Sequence, residues 1–312
     1  MPDYIPRIPS EFVVPLNMNG LRGRMLRMPP PKGKTREILF IYGHHATLER
    51  YYGLMQVIND YGAVTMPDLP GFGGMDSFYK INEKPDLDTM ADYLAAFVKL
   101  RFNHRKRFTV VGASYGFLVV TRMLQRYPDI ARRVDLLVSV VGFAHYEDLK
   151  FSKSRFRYYK NISTVFSTRP MAALFRNVGL HPSVLRRVYA KTHNAKHKFA
   201  GIPPERLEAM TEFEIHLWRV NDARTYMATS KSMLEVDNCR ARVDLPVWHV
   251  YTKMDNYFNN DIIEQHFRVI FTDYHAAEAK LDRHVPIVLA DKSESEALVP
   301  YRLRQQLNKK LK

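Results

Sequence analysis

The chain has 312 residues, is 46% hydrophobic and carries a formal net charge of +15, proportions that suit one large globular domain or a domain carrying an insertion. No stretch approaches the ~20 consecutive apolar residues of a spanning helix, and the single cysteine, Cys239, excludes an internal disulfide. The first residues, MPDYIPRIPSEFVVP, lack an apolar region of signal-peptide length, so a reducing, cytoplasmic setting is expected; the charge calls for an anionic partner, whether nucleic acid, an acidic membrane surface or an acidic substrate.

In chain order, EFVVPLN and LRGRMLRM flank the turn residues of MNG and predict a hairpin at the start of a sheet. Short β-branched runs then alternate with amphipathic helical patterns: EILFIYG (37–43), AVTMPD (63–68), FTVVGAS (108–114), VDLLVSVVG (134–142), PVWHVYT (246–252) and HAAEAKL (275–281). Strands separated by helices and apolar on both faces predict an α/β fold with a mostly parallel, doubly wound sheet. Between 87 and 97, Leu87, Met90, Tyr93, Leu94 and Phe97 share one helical face. One connection is far too long for a crossover, which needs only about a dozen residues. Residues 143–240 are therefore expected to form an inserted, mainly helical, basic cap after the sixth strand, leaving 1–142 and 241–312 as the core. PPERLEAMTEFEIHLWRV, with a proline at its start and acidic residues in its first turns, predicts one of the cap helices.

The run TVVGASYGFLVV (109–120) breaks a strand on Gly-Ala-Ser-Tyr-Gly and resumes as a helix. Gly112 and Gly116 relieve crowding at so sharp a turn, and Ser114 at its apex is lifted above the carboxyl edge of the sheet, against a helix N-terminus that favours negative charge. A serine hydroxyl is a weak nucleophile unless a base takes its proton and an acid orients that base. In the chain order nucleophile, acid, histidine, the acid follows the next-to-last strand and the histidine the last. Asp255 in TKMDNYF and His284 in LDRHVP occupy those positions. Asp282 shares a cramped loop with His284, and Asp148, after an earlier strand, is a substitute acid. His44, His45, His181, His193, His197, His216 and His275 do not follow the last strand. His193 and His197 have the four-residue spacing of helical metal ligands, yet no third ligand is nearby in sequence; no metal and no cofactor is assigned. Two backbone N–H groups should receive the oxyanion: that of Tyr115, and that of His44 in GHHAT, where a glycine permits close approach of the backbone.

These segments together resemble the α/β-hydrolase superfamily, in its cap-bearing serine esterase and lipase branch. YGHH stands where that family has His-Gly and an oxyanion residue, with Tyr42 in place of the histidine; DLPGFGGMDSF resembles its D-x-P-G-x-G-x-S loop, with Ser77 displaced by one position; GASYG, TKMDNYF and LDRHVP match its nucleophile, acid and histidine contexts. The resemblance implies hydrolysis of a carboxylic ester through an acyl-enzyme, with Ser114, Asp255 and His284 as triad. A thioesterase, an amidase or aminopeptidase, a carbon–carbon bond hydrolase and a non-catalytic ligand-binding member of the fold stay open, whereas a serine nucleophile departs from the aspartate of dehalogenases and epoxide hydrolases. Tyr158, Tyr159, Phe166, Met171, Leu174, Phe175, Leu180 and Leu185 offer apolar surface either for an acyl pocket or for the cap's own core.

From Leu149 to Pro204 there is no Asp or Glu, while twelve Lys and Arg residues are interleaved with FRYY and MAALF. That composition suits a surface lying on an anionic membrane or admitting an anionic amphiphile. No DNA- or RNA-binding motif accompanies the charge, so no nucleic-acid partner is expected.

Overall fold

A computed structural model describes residues 6–191, 203–253, 255–279 and 291–309. Its centre is one eight-stranded sheet in the order β1-β2-β4-β3-β5-β6-β7-β8. The strands are β1 (Val13–Met18), β2 (Leu21–Met28), β3 (Glu37–Ile41), β4 (Ala63–Pro67), β5 (Phe108–Ala113), β6 (Val134–Val140), β7 (Val243–Tyr251) and β8 (Phe271–Glu278). The first two form the expected hairpin, turning on Asn19 and Gly20, both left-handed. β2 joins β4 antiparallel, and every pairing from β4 through β8 is parallel. Every residue of β4 and β5 is buried, whereas β1 at one edge alternates in its second half, the difference expected between strands covered on both faces and an edge strand.

Helices α1 (Leu48–Asn59), α2 (Leu87–Arg101), α3 (Tyr115–Arg126), the short α4 (Pro128–Ala131) and, beyond β7, α10 (Asn260–Ile270) cover the sheet. The face predicted for α2 is the one that is buried: Leu87, Met90, Tyr93, Leu94 and Phe97 all pack inward. Phe117 of α3 meets Phe267 of α10 and Phe271 of β8 at ring separations of 5.2 and 5.9 Å, joining α3 and α10 in the core on one face of the sheet. Between β6 and β7 the chain forms α5 (Lys153–Phe166), α6 (Arg169–Leu174) with a π-helical turn at Phe175–Gly179, α7 (Pro182–Lys191), α8 (Pro204–Val220) and α9 (Ala223–Met233). Leu180, Leu185, Ile215 and Ala223 make a small separate apolar cluster there, with Phe175 and Trp218 against it. After β8 the described chain ends in α11 (Lys292–Ser295) and α12 (Tyr301–Asn308).

Two strand boundaries differ from the sequence reading. β7 starts at Val243, three residues before the expected run, and β8 spans Phe271–Glu278 instead of 275–281. β8 lies at the sheet edge, where exposed Thr272 and Asp273 and half-buried His275 give a mixed pattern and blur the apolar signal on which strand recognition depends.

A buried ion network fixes the loop after β4. Arg24 of β2 donates from Nη1 and Nη2 to the two oxygens of Glu49 at 2.7 and 2.9 Å, and from Nε to Asp68 Oδ2 at 2.9 Å. Burial pushes the fully buried Asp68 carboxyl up to about 7, with Glu49 acting in the same direction, against the pull of the Arg24 charge and the Tyr42 hydroxyl. Removing one member of such a buried set leaves uncompensated charge and costs about 3–5 kcal/mol. Arg24→Ala is therefore expected to lower the unfolding free energy by that amount, measured by urea denaturation at neutral pH; a loss below about 1 kcal/mol would show that water or a rearranged side chain replaces the guanidinium.

Candidate active site

β5 delivers its chain to α3 through a single residue, Ser114, at φ 48° and ψ −119°. A left-handed non-glycine backbone costs about 1–3 kcal/mol and persists where its surroundings enforce it. Here the enforcement is steric. A Cβ on Gly116 would stand 2.3 Å from the carbonyl oxygen of Ile41 and 2.4 Å from that of Tyr42, and one on Gly112 would stand 2.7 Å from Phe117 Cα. Helix α3 is thereby pressed against the ends of β3 and β5. Ser114 N–H donates to Val140 O at 2.9 Å and its carbonyl accepts from Phe117 N–H at 3.0 Å, which anchors the turn on both sides. The amide of Tyr115, first in α3, belongs to the helix-terminal donors that have no intrahelical acceptor.

The loop after β3 approaches the same point. A Cβ on Gly43 would lie 3.3 Å from Ser114 Cβ and 3.4 Å from Ala113 O; Gly43 N–H donates to the Tyr51 hydroxyl at 3.4 Å. Tyr42, the departure from the family pattern, is fully buried, and its hydroxyl donates to Asp68 Oδ1 at 2.9 Å while accepting from Leu69 N–H at 2.8 Å. It thus clasps the oxyanion-side loop to the DLPGFGG loop. That second loop seats the insertion: Gly73 N–H donates to Asn221 Oδ1 at 2.8 Å, Asp222 N–H donates to Gly71 O at 2.8 Å, and the displaced Ser77 shares a 2.7 Å hydrogen bond with Thr225 Oγ1.

Above the turn lies an aromatic group that the sequence reading did not assemble. His44 faces Tyr226 at 4.4 Å between ring centroids and Phe72 and Tyr115 at 5.4 Å, and its Nε2 meets Thr229 Oγ1 at 2.8 Å. His45 stacks on Trp218 at 4.0 Å, and Trp218 meets Tyr226 at 4.7 Å. Burial pushes the His44 imidazole down to about 3, so at neutral pH it is an uncharged ring. Trp218 and Tyr226 come from α8 and α9, and nothing local in the sequence indicates that they face the loop after β3. The residues named from sequence for an acyl pocket divide differently. Leu180 and Leu185 are buried in the insertion's own cluster beside Phe175, and Phe166 packs on Phe175, while Tyr158 and Leu174 are 61% and 51% exposed.

Asp255 follows β7 by four residues and is 4% exposed. Its Oδ1 accepts from the amides of Tyr257 and Phe258 at 2.7 and 3.0 Å. The loop is zipped to the chain leaving β6: Lys150 N–H donates to Tyr257 O, Asn259 N–H to Asp148 O, and Lys150 Nζ to Asp255 O, all at 2.8–2.9 Å. β5 and β7 are separated only by β6, so their ends stand about 10 Å apart, two inter-strand spacings, a gap of the size an imidazole fills between a hydroxyl and a carboxylate. No imidazole among the described residues hydrogen-bonds Ser114; His284, like Asp282, His193 and His197, lies outside them. Asp148 is differently engaged. Oδ2 accepts from the amides of Ala144 and His145 at 2.8 and 2.9 Å, and Oδ1 meets His266 Nδ1 at 2.6 Å. Both its oxygens serve the loop after β6 and α10, which removes it as the substitute acid unless that loop rearranges.

The tightness around Gly43 has a kinetic consequence. A methyl group at 3.1–3.4 Å from Tyr51, Ser114 and Ala113 is accommodated by shifts of a few tenths of an ångström, and small displacements of a reacting centre cost up to about 100-fold in rate. Gly43→Ala should keep its melting temperature within a few degrees while its rate of fluorophosphonate labelling falls by about 10- to 100-fold. Labelling at the wild-type rate would remove this loop from the reacting centre.

No protein-family model and no curated protein matches the chain, but many solved structures do. MGS-M2, an α/β-hydrolase enzyme from a Medee basin deep-sea metagenome library, is 12% identical and aligns over 96% of this chain and 99% of its own, with a TM-score of 0.67. A thermophilic esterase from Thermogutta terrifontis is 15% identical over 95% and 99% of the two chains, with a TM-score of 0.63. The enol-lactonase of Burkholderia xenovorans LB400 is 13% identical over 86% and 91%, with a TM-score of 0.60. Identities this low speak to architecture, and together with the strand order and the strained turn after β5 they establish that the chain has the α/β-hydrolase fold.

Proposed function

We propose that this protein is a serine hydrolase that cleaves a carboxylic ester carrying a lipophilic acyl group. The observation that carries the reading is Ser114, held in a left-handed turn at the N-terminus of α3 with the Gly43 loop against its Cβ. Ser114 Oγ attacks the carbonyl carbon, and His284, assigned by its place in the sequence after the last strand, accepts the hydroxyl proton and returns it to the departing alkoxide. Asp255 orients the imidazole and stabilises its cation. The amides of Tyr115 and His44 receive the oxyanion, each donor contributing about 3–4 kcal/mol to the transition state. Water then attacks the acyl-enzyme by the same route. Neutral His44, Phe72, Trp218 and Tyr226 supply an apolar wall for the acyl chain, which favours an ester of a hydrophobic acid over a charged one. The hydrolase names of the structural neighbours support the class of reaction and leave the scissile bond to experiment.

A fluorophosphonate probe is expected to label Ser114, and Ser114→Ala to abolish labelling with the circular dichroism spectrum unchanged. Asp255→Asn should lower turnover of p-nitrophenyl acyl esters by about 10⁴-fold, as expected when a triad histidine is held in the wrong tautomer, with thioester and aminoacyl-amide substrates run alongside to identify the bond cleaved. A folded wild-type protein that resists the probe would instead be a non-catalytic ligand binder.

A second reading concerns the setting, and rests on which apolar side chains the insertion leaves in solvent. Among the described residues, seven of the exposed large hydrophobic side chains lie between the start of α5 and the end of α7: Tyr158, Tyr159, Val165, Leu174, Val178, Val184 and Val188. Around them Lys153, Arg155, Arg157, Arg169 and Arg187 are exposed and form no ion pair among the described residues. The remaining charge of this segment is partly spent, with Lys160 on Glu235, Arg186 on Glu212 and Arg176 on the carbonyls of Arg219 and Asn221. Five cations at about 1 kcal/mol each near an anionic leaflet, with aliphatic groups between them, suit a peripheral contact with an acidic membrane. Five of the seven apolar residues are aliphatic and only Tyr158 and Tyr159 carry rings, a balance that suits a lipid surface more than a nucleic-acid surface built on stacking. Cosedimentation with phosphatidylserine vesicles should exceed that with neutral vesicles and weaken as the Debye length falls from ~10 Å at 0.1 M to ~3 Å at 1 M salt. Reversal of Lys153, Arg155 and Arg157 to Glu should remove the difference; equal recovery with both vesicle types would leave the charge as a solubility feature.

A further inference from the structure

At the root of the insertion, two histidines and a glutamate converge from segments distant in sequence. His145 and Glu147 lie in the turn that follows β6, and His266 lies on α10. One donor atom from each falls within 4.8 Å of the others. The sequence reading, which sought metal ligands at helical spacing, could not have found them.

The hydrogen bonds define which nitrogens present lone pairs. His266 Nδ1 lies 2.6 Å from Asp148 Oδ1, and Asp148 is fully buried with its other oxygen held by the amides of Ala144 and His145. A buried carboxylate on one imidazole nitrogen fixes the tautomer and leaves Nε2 basic, which is how carboxylate–histidine–metal relays are built. His145 Nδ1 accepts from Glu147 N–H at 3.2 Å, a long bond that occupies its lone pair and that an ion bound at this nitrogen would displace, while its Nε2 faces Asp237 Oδ1 at 3.9 Å. Glu147 Oε2 stands 3.6 Å from His145 Nδ1. The two imidazoles are 4.5 Å apart at their centroids, and both are largely buried while Glu147 is exposed, an arrangement with an open side for entry.

We propose that His145, Glu147 and His266 form a binding site for a divalent transition-metal ion of the zinc class, with Asp148 as the residue that positions His266. Two imidazoles and one carboxylate are the borderline donors that suit Zn²⁺ and do not suit Ca²⁺ or Mg²⁺, which take oxygen ligands. At ~2.1 Å from each ligand, a tetrahedral ion holds its donors ~3.4 Å apart; rotation of the exposed Glu147 side chain and a small tilt of the rings close the triangle. A fourth position remains for water. The ion would clamp the place where the chain leaves the sheet to α10, next to the point where the insertion returns, since His145 pairs with Asp237 in an isolated β-bridge. Its role is to hold the insertion at its base, and it stands independently of the ester-hydrolase reading.

The test uses the full-length protein, stripped with a chelator and titrated with Zn²⁺ against a chromophoric competitor, with Co²⁺ as a spectroscopic probe. One site per chain is expected, with tetrahedral d–d bands for Co²⁺ and a melting temperature that rises on metal addition. Glu147→Gln, at an exposed position that folding does not depend on, and His145→Gln should each weaken Zn²⁺ at least ~10-fold, given that loss of even an outer-shell partner costs 10–100-fold. The double variant His193→Gln/His197→Gln should bind as wild type. Absence of Zn²⁺ binding to the wild-type protein, or affinity unchanged in Glu147→Gln and His145→Gln, would overturn the site; a loss confined to the His193/His197 variant would move the metal to that pair.

Discussion

A strand that ends in the middle of a parallel sheet can pass into a helix within one residue only if that residue leaves the allowed β and α regions, and Ser114, at φ 48°, is where this chain does so. The strain is opposed by contacts that have no alternative arrangement. Gly116 sits against two carbonyls of the β3 end, Gly112 against Phe117, and Gly142, at the end of β6, leaves no room for a Cβ beside Ser139 Oγ and Phe117. Any larger side chain at these glycines would push α3 off the sheet, and the serine would relax into ordinary backbone. The strained turn at Ser114 is thus maintained by packing density in the core, and the hydroxyl's placement is a property of the whole central sheet.

The second dependence is electrostatic. Arg24 is the cation that keeps two buried carboxylates in the fold. Through Asp68 it reaches Tyr42, and through Tyr42 it reaches the loop that brings Gly43 against Ser114. The same loop after β4 receives Asn221, Asp222 and Thr225 of the insertion. One buried network therefore fixes the oxyanion-side loop to the core and the insertion to both. Tyr42 stands where the family carries a histidine, and its hydroxyl, donating to one neighbour and accepting from another, fastens the loop by a different route.

The sheet, its parallel direction and the turn at Ser114 were readable because they rest on local rules: β-branched runs, glycine where the chain is crowded, and a helix face repeating at three to four residues. What the sequence could not convey depends on which distant side chains meet. Asp148 and Asp255 look alike as carboxylates after strands; only the amides of Ala144 and His145 and the imidazole of His266 reveal that the first is committed elsewhere. The aromatic residues of the insertion were legible as apolar, yet Phe175 and Leu185 build its interior while Tyr158 and Leu174 face solvent, a division that periodicity cannot make when the helices are short and cover one another on several sides. Trp218 and Tyr226 had no local mark at all for meeting His44 and His45. The charge run from Leu149 to Pro204 is also less available than it reads, because several of its cations reach carboxylates or carbonyls of α8, α9 and the loops beside them.

The acid loop and the insertion are mechanically one unit. Lys150, two residues beyond Asp148, contacts the Asp255 loop through both its amide and its ammonium group, and Leu149 pairs with Phe258 in a β-bridge. A displacement of α5 must therefore either break the hydrogen bonds at its root or move the loop that carries Asp255. Breaking them exposes the buried Asp148 and its amide partners, which is costly; moving them carries Asp255 along. Any ligand that shifts the insertion, at its exposed aromatic surface or at its base, thus has a path to the acid of the candidate triad without touching Ser114. The loop after β4 holds the opposite end of the insertion through Asn221, Asp222 and Thr225, so that the positions of the Asp255 loop and the Gly43 loop are both tied to the insertion by the connectivity of the fold.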